Sequence, residues 1–483
     1  MANNMNILHY FLGFPPIHDG GLMIYAKDLA KEQLTLGHNV IMLMPGLYIN
    51  NTSKSAIKFY KREEGLPIYQ IINSQPVSFS GVINPKEFTK EKSINNYCHF
   101  LKEYGIEILH VHSLIGFPKE LLDEAKKLNI KTIFTTHDYF GLCPKINFFK
   151  YNNTICNDYK EGKECFLCNY VELNKLRQLY IKRNLKIIIN RNFFLNSTVR
   201  SLSSLLHRRK NLIHGEDIDY KKITIDWDKA IEYVKFRNYY KNIIESFDII
   251  LFNSSVTKKQ FAQYINLDNI RHEILHITRS KIKDNRNIIK YNPKINNKVN
   301  FLFMGYLDKK KGFWDLVSVL NEIKDKYTNW QINIYGDYSN VDLSKFDNNF
   351  FKFYGKYRYS DLPDMFSNSS ILIIPSKWKE TFGFIGLEAY SYGIPVLVSE
   401  NVGFSDLIKD GINGLVYSDD DKNQNLKEKI IELLESPEIL LQLHSGILNG
   451  NFNYSLIKHA KIILDIYTKL REGSNNENWD INI

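Results

Sequence analysis

Residues 373–398, IIPSKWKETFGFIGLEAYSYGIPVLV, decide the fold. An apolar run from Ser370 to Ile374 stops at Pro375 and Ser376, a polar loop follows, a helical stretch carries Leu387 and Glu388, and a second apolar run starts at Pro395. Strand, loop, helix and strand in so short a span make a βαβ unit. Apolar runs without polar alternation predict parallel strands covered on both faces. With the helix starting near Gly383, Glu380 lies in the loop before it and Glu388 about five residues inside, roughly 7–8 Å along the axis. One ligand can touch both carboxylates. The N–H groups around Phe382, Gly383 and Phe384 point towards it, and the helix N-terminus favours an anion such as a phosphate.

The same rhythm extends in both directions. Strands are predicted at Asn6 to Phe11, Asn39 to Met44, Ile106 to Val111, Lys131 to Thr135 and Asp248 to Phe252, then at Val299 to Met304, Gln331 to Tyr335, Ser370 to Ile374 and Pro395 to Ser399, with amphipathic stretches between them. The chain reads as α/β, with two Rossmann-like parallel-sheet lobes facing a central cleft. The polar, Asn/Lys-rich stretch SKIKDNRNIIKYNPKINNKVN separates the two sets. The expected division is a first lobe at 1–291 with an insertion at about 142–240, a second lobe at 292–454, a helix at 455–472 crossing back to the first lobe, and a tail at 473–483.

Composition sets the limits. The chain has 483 residues with 44% hydrophobic and 24% charged, which excludes disordered, fibrous and disulfide-scaffold classes. No apolar run approaches a membrane span, and the first residues lack a basic region and cleavage site, so a cytoplasmic protein is expected. The net charge of +10 is local: Val171 to His214 holds ten Lys/Arg and one acid, Glu172. The remainder is nearly neutral, so nucleic acid is not an expected partner. The basic stretch is either a solvated helix or a docking face for an acidic acceptor or an anionic membrane surface, the last of which would make the protein peripheral on the cytosolic face.

Further candidates follow from position. Gly20 and Gly21 permit close approach of backbone to a ligand before a helical stretch, Leu22 to Leu36, although the G-x-G-x-x-G dinucleotide fingerprint is absent. Lys311 precedes Gly312 at a strand-to-helix turn, where an ammonium could neutralise an anion. His137 lies directly after a strand, where ligands of α/β sheets collect. His110 and His112 either line the same cleft or fill the strand end. Cys143, Cys156, Cys165 and Cys168 are spaced C-x(12)-C-x(8)-C-x(2)-C, a candidate structural zinc or iron site. Cys98 reads as packing.

The pattern S-x-x-x-E-x-F-G-x-x-x-x-E-A-x-x-x-G-x-P-V resembles the signature of the family 4 retaining glycosyltransferases. FLFMGYLDKKKGF, NIYGD, ENVGFSDLIKDGINGLVY and PPIHDGGLMIYAKDLAKEQLTLGHNV resemble further segments of that family in the right order. The resemblance implies the GT-B fold and transfer of a sugar, with retention, from a nucleotide sugar, UDP- or GDP-linked, to a hydroxyl acceptor. That acceptor would be lipid-linked in cell-surface polysaccharide or glycolipid assembly. No catalytic metal is implied. Carried over, Glu380 contacts the transferred sugar, Glu388 the ribose, His137 the sugar and acceptor, and Lys311 the diphosphate. Gly20, Gly21, Gly305, Tyr306, Phe382, Gly383 and Phe384 complete the donor site. Tyr306 stands where the family commonly has an Arg. A degenerate sugar-nucleotide-binding partner of another transferase, a GT-B epimerase and a phosphorylase are the alternative functions.

Overall fold

The computed structural model describes residues 4–15, 17–18, 20–49, 54–79, 81–94, 96–170, 183–188, 220–420 and 422–473. Nine strands form the first sheet: Asn6–Tyr10 (β1), Asn39–Pro45 (β2), Lys54–Glu63 (β3), Leu66–Ile72 (β4), Ser93–Ile94 (β5), Ile108–Val111 (β6), Lys131–Thr136 (β7), Ile249–Phe252 (β8) and His272–Ile274 (β9). Their order is β5-β3-β4-β2-β1-β6-β7-β8-β9. The β3–β4 hairpin is antiparallel and was not expected. Its β3 strand is half exposed at the sheet's margin, so it lacks the continuous apolar run that marks the buried strands.

Six strands form the second sheet: Val299–Met304 (β10), Trp330–Tyr335 (β11), Phe351–Gly355 (β12), Ile371–Ile374 (β13), Val396–Ser399 (β14) and Leu415–Tyr417 (β15). Every neighbouring pair is parallel, in the order β12-β11-β10-β13-β14-β15. β10, β13 and β14 are buried throughout, as their unbroken apolar sequences require. The order reverses between β10 and β13, and an open α/β sheet binds ligands at that reversal, beyond the carboxyl ends of its strands.

The stretch between the lobes is pinned to the second. Arg286 donates to the carbonyls of Ile447 and Gly450, both at 2.7 Å, and Tyr291 donates to the Ser370 carbonyl at 2.7 Å. The helix Leu456–Glu472 packs on the helix Gly21–Thr35 of the first lobe. Its buried residues include His459, Ile463, Ile466, Tyr467 and Leu470, the spacing of one helical face.

Between β7 and β8 the chain leaves the βα rhythm. A loop carrying the four cysteines packs on the helix Trp227–Ile244, which Asp226 caps by accepting the Lys229 N–H at 3.1 Å. Of the basic stretch, only 183–188 is described; the expectation of a membrane-docking or solvated face otherwise lies outside the described residues, as does the tail beyond Gly473. Within 183–188 the expectation of outward-facing charge fails at Arg183. That residue is buried and donates to His18 and to the Pro45 carbonyl, because the strand end offers acceptors that water would otherwise supply.

Candidate functional site

Two turns of the second lobe build one wall of an interlobe cleft of about 1020 Å³. After β10 the chain passes Gly305 to Asp308, whose carboxylate accepts the Lys311 N–H at 2.8 Å. It then enters the helix Phe313–Ile323 through Gly312 at φ 69°. A Cβ there would stand 1.7 Å from the Pro375 carbonyl oxygen, so glycine alone lets this turn lie against the end of β13. Lys311 is thereby aimed at the second turn. Its Nζ lies 2.7 Å from Glu380 Oε1, and Ser376 Oγ donates to Glu380 Oε2 at 2.8 Å. The Glu380 N–H donates to the Asn401 carbonyl at 2.8 Å, and the Gly403 N–H donates to the Glu380 carbonyl at 2.9 Å, stitching the loop to the end of β14.

The chain then turns through Gly383, at φ 95°, into the helix Phe384–Ser391. A Cβ at Gly383 would come within 2.8 Å of Val402. The first N–H groups of this helix have no acceptor within it. Glu388, inside the helix and 2% exposed, forms an ion pair with Arg279, a residue that sequence reasoning missed. The Arg279 guanidinium lies 5.4 Å from the Phe384 ring centre and 5.1 Å from that of Tyr359, and its buried Nε has no hydrogen-bond partner. Tyr306 reaches the cleft only at the rim, 72% exposed. Lys309 is exposed, and Lys310 turns its ammonium 5.3 Å above the Trp378 ring, where burial lowers its pKa. Of the three consecutive lysines, Lys311 alone lines the cleft.

The first lobe supplies the facing wall through Phe14, Gly21 and His137. Gly20, one residue before that lining, precedes the helix Gly21–Thr35 at φ 149°. Gly21 meets Phe384 across the seam so closely that a Cβ would sit 3.1 Å from the ring. Thr381 Oγ1 donates to the His137 carbonyl at 3.2 Å, while Ser254 and Thr257 donate to the Thr381 carbonyl at 2.8 and 3.1 Å.

Both ring nitrogens of His137 are engaged inside the first lobe. The Asn253 amide donates to Nδ1 at 3.2 Å, and Nε2 faces His112 Nδ1 at 3.4 Å. The contacts continue from His112 Nε2 to His9 Nδ1 at 2.9 Å and from His9 Nε2 to Gln33 Oε1 at 2.7 Å. Gln33 then donates to the Tyr467 hydroxyl at 3.4 Å, which meets His110 Nδ1 at 2.5 Å, and His110 Nε2 faces Thr135 Oγ1 at 2.7 Å. Burial holds the imidazoles neutral: His9 is lowered to about 4 and His137 to about 3, and His110 and His112 are also depressed. A neutral ring carries one proton, so Nε2 of His137, His112 and His9 donates and Nδ1 accepts. Asp138 is raised to about 6 by burial, although the Ser113 hydroxyl and the Phe140 N–H donate to it. Ligand atoms of His9, His110 and His112 fall within 4.8 Å of one another, but these contacts already occupy their nitrogens. His110 and His112 therefore belong to the strand ends and stand outside the cleft lining.

The four cysteines from the loop between β7 and β8 line one small cavity with Arg237. Cys98 lies elsewhere, half-buried on the helix Tyr97–Glu103.

Comparison with known proteins agrees with this architecture. The family model for glycosyl transferases group 1 matches residues 284–445. An uncharacterized 41.2 kDa protein in the cps region of Klebsiella pneumoniae is 33% identical over 144 residues, which is 29% of this chain and 37% of that protein. An uncharacterized glycosyltransferase of Methanocaldococcus jannaschii is 26% identical over 242 residues, 47% of this chain and 67% of that one. The solved structure of WaaG, a glycosyltransferase involved in lipopolysaccharide biosynthesis, superposes with a TM-score of 0.53 at 14% identity, covering 96% of this chain and 99% of that one. The family model thus matches the second lobe, at residues 284–445, and the structural match extends over both lobes of a GT-B fold.

Proposed function

We propose that the chain is a retaining glycosyltransferase that moves a sugar from a UDP- or GDP-sugar to a hydroxyl acceptor in assembly of a cell-surface polysaccharide or glycolipid. The observation that carries this reading is the placement of the Lys311–Glu380 and Arg279–Glu388 pairs on either side of the Gly383 turn, in one interlobe cleft. Lys311, with the first N–H groups of the helix Phe384–Ser391, neutralises charge developing on the departing diphosphate. Arg279, in place of an Arg at position 306, is the second cation. Glu380 accepts from hydroxyls of the transferred sugar and Glu388 from those of the ribose.

As the bond from the anomeric carbon to phosphate oxygen breaks, a bond to the acceptor oxygen forms on the same face. The acceptor proton passes to the departing phosphate. His137 positions the sugar and acceptor; a sugar hydroxyl competes for its Nε2, whose present partner is the more distant of the two. Gly21 against Phe384 lets the lobes close enough to exclude water. A lipid-linked acceptor at the anionic cytosolic face of a membrane is the class that residues 171–214 would meet; no helix among the described residues is long and apolar enough to cross one.

The test is the melting temperature with UDP-, GDP-, ADP- and dTDP-sugars, for the unmodified protein, Lys311→Ala and Glu388→Ala. One nucleotide class is expected to stabilise the unmodified protein, by roughly 2.7 kcal/mol at a hundredfold excess over Kd. Both variants should lose most of that gain. Binding without acceptor-dependent release of nucleoside diphosphate would instead identify a partner of another transferase. Binding of none would refute the donor site.

A further inference from the structure

Beyond the cleft, the loop between β7 and β8 brings together cysteines from three separate segments. Cys143 follows the Tyr139 turn, Cys156 follows a two-stranded bridge of Phe149 with Ile155, and Cys165 and Cys168 share the short helix Lys163–Cys168. Their side chains line a cavity of about 10 Å³, the room taken by one water-sized body. Three of the four are buried and all are free thiols. Packing alone does not account for what surrounds them. Arg237, 4% exposed, lines the same cavity: its Nε donates to the Leu142 carbonyl at 2.7 Å and its Nη2 to Cys165 Sγ at 3.4 Å, but Nη1 has no hydrogen-bond partner. Lys145 and Lys150 line the cavity as well. The Phe148 N–H donates to Cys143 Sγ at 3.3 Å. Lys145 and Lys150 are partly exposed, and Lys150 pairs at 3.7 Å with Glu164, a buried carboxylate of the same lining. The buried Arg237 and the Phe148 N–H remain poorly matched to neutral thiols; the same groups suit thiolates.

We propose that Cys143, Cys156, Cys165 and Cys168 bind one zinc ion as four thiolates. Binding releases four thiol protons to solvent and leaves the centre with two negative charges, which Arg237 and Lys145 face while Lys150 offsets Glu164. A tetrahedral site needs sulfurs ~3.8 Å apart. Among the described residues no three of these sulfurs lie mutually within 4.8 Å, so binding draws them inward. Rotation about χ1 moves a sulfur by up to roughly 3 Å, the movement by which the ion would gather them. The ion has no part in sugar transfer. It fixes the loop that begins at His137, one residue after β7, so the proposal stands whether or not the cleft is catalytic.

The experiment uses the full chain purified without chelator. Elemental analysis should find about one zinc per protein, and a thiol reagent on the native protein should titrate Cys98 and leave the other four protected until a chelator removes the metal. Cys98→Ser should retain the zinc, and Cys165→Ser with Cys168→Ser should lose it. Because that double variant risks misfolding, cobalt added to the stripped wild-type protein is a second readout, with a sulfur-to-cobalt charge-transfer band expected. Iron in the same stoichiometry would refute zinc. Less than about one-tenth equivalent of any metal, no cobalt band, and thiols that react freely or are joined as disulfides would overturn the site altogether.

Discussion

In the proposed donor site, Arg279 takes the task that the linear pattern assigns to position 306. Tyr306 points its ring to solvent at the rim, whereas Arg279 is held inside the cleft by Glu388 and two aromatic faces. Tyr306→Ala is therefore expected to change donor affinity by less than about twofold, while Arg279→Ala weakens it by tenfold or more, about 1.4 kcal/mol. Calorimetric titration with the nucleotide class that stabilises the protein checks both. Arg279→Ala also strands a buried Glu388, so binding is measured well below its melting transition; equal effects of the two substitutions would remove Arg279 from the site. Glu380, Gly383, Glu388 and Lys311 could be placed in the cleft from the sequence because each belongs to a local strand–loop–helix motif. Arg279 was not legible, because its partner is distant in the chain and it stands immediately before Ser280, where the polar linker was read to start. His9 carried no signal either: a lone histidine in an apolar strand acquires meaning only when β6 lies beside β1.

At the scale of elements, the strand-to-helix turns are where the backbone constrains chemistry most tightly. Gly312 combines φ 69° with a Cβ position overlapping the Pro375 carbonyl, whereas Gly305 has φ 144° and open space where its Cβ would be. Gly312→Ala is expected to lower stability by about 2–4 kcal/mol and to displace Lys311. Gly305→Ala bears the conformational cost alone, about 1–2 kcal/mol. Chemical denaturation of the two variants separates a steric effect from a torsional one; equal losses would show that the Pro375 contact relaxes freely. The strands β1, β2, β6, β7, β8, β10, β11, β13 and β14 could be read because they are largely buried and dense in apolar residues, even where β7 and β11 carry polar ones. β3, β4, β5, β9, β12 and β15 escaped notice. They lie towards the margins of the sheets, several are short or partly exposed, and their pairing depends on neighbours that a local window does not contain.

In the whole molecule, the histidine stack gives folding a pH dependence of definite sign. His9, His110, His112 and His137, with His459, which is lowered to about 4 and meets the Tyr25 hydroxyl at 2.8 Å, all have folded pKa values below the unfolded value near 6.5. As pH falls below about 6.5 the unfolded chain takes up protons that the folded chain refuses, and stability is lost progressively towards pH 4. Asp138 opposes this: raised to about 6, it favours the fold as pH falls from about 6 towards its unfolded value near 4, but it is one carboxyl against several imidazoles. The melting temperature should therefore fall between pH 7 and pH 5 by at least a few degrees, about 2–4 °C for each kcal/mol; a flat or rising curve would mean that the stack is hydrated and titrates normally. These histidines also form a directed circuit. Each neutral ring has one proton for two nitrogens, so turning over the Asn253 and Gln33 amides would reverse every donor and acceptor between them without moving a ring. The cleft at His137 and the terminal helix at Tyr467 thus share a single binary variable, and a change of hydrogen-bond sense at either end is recorded at the other.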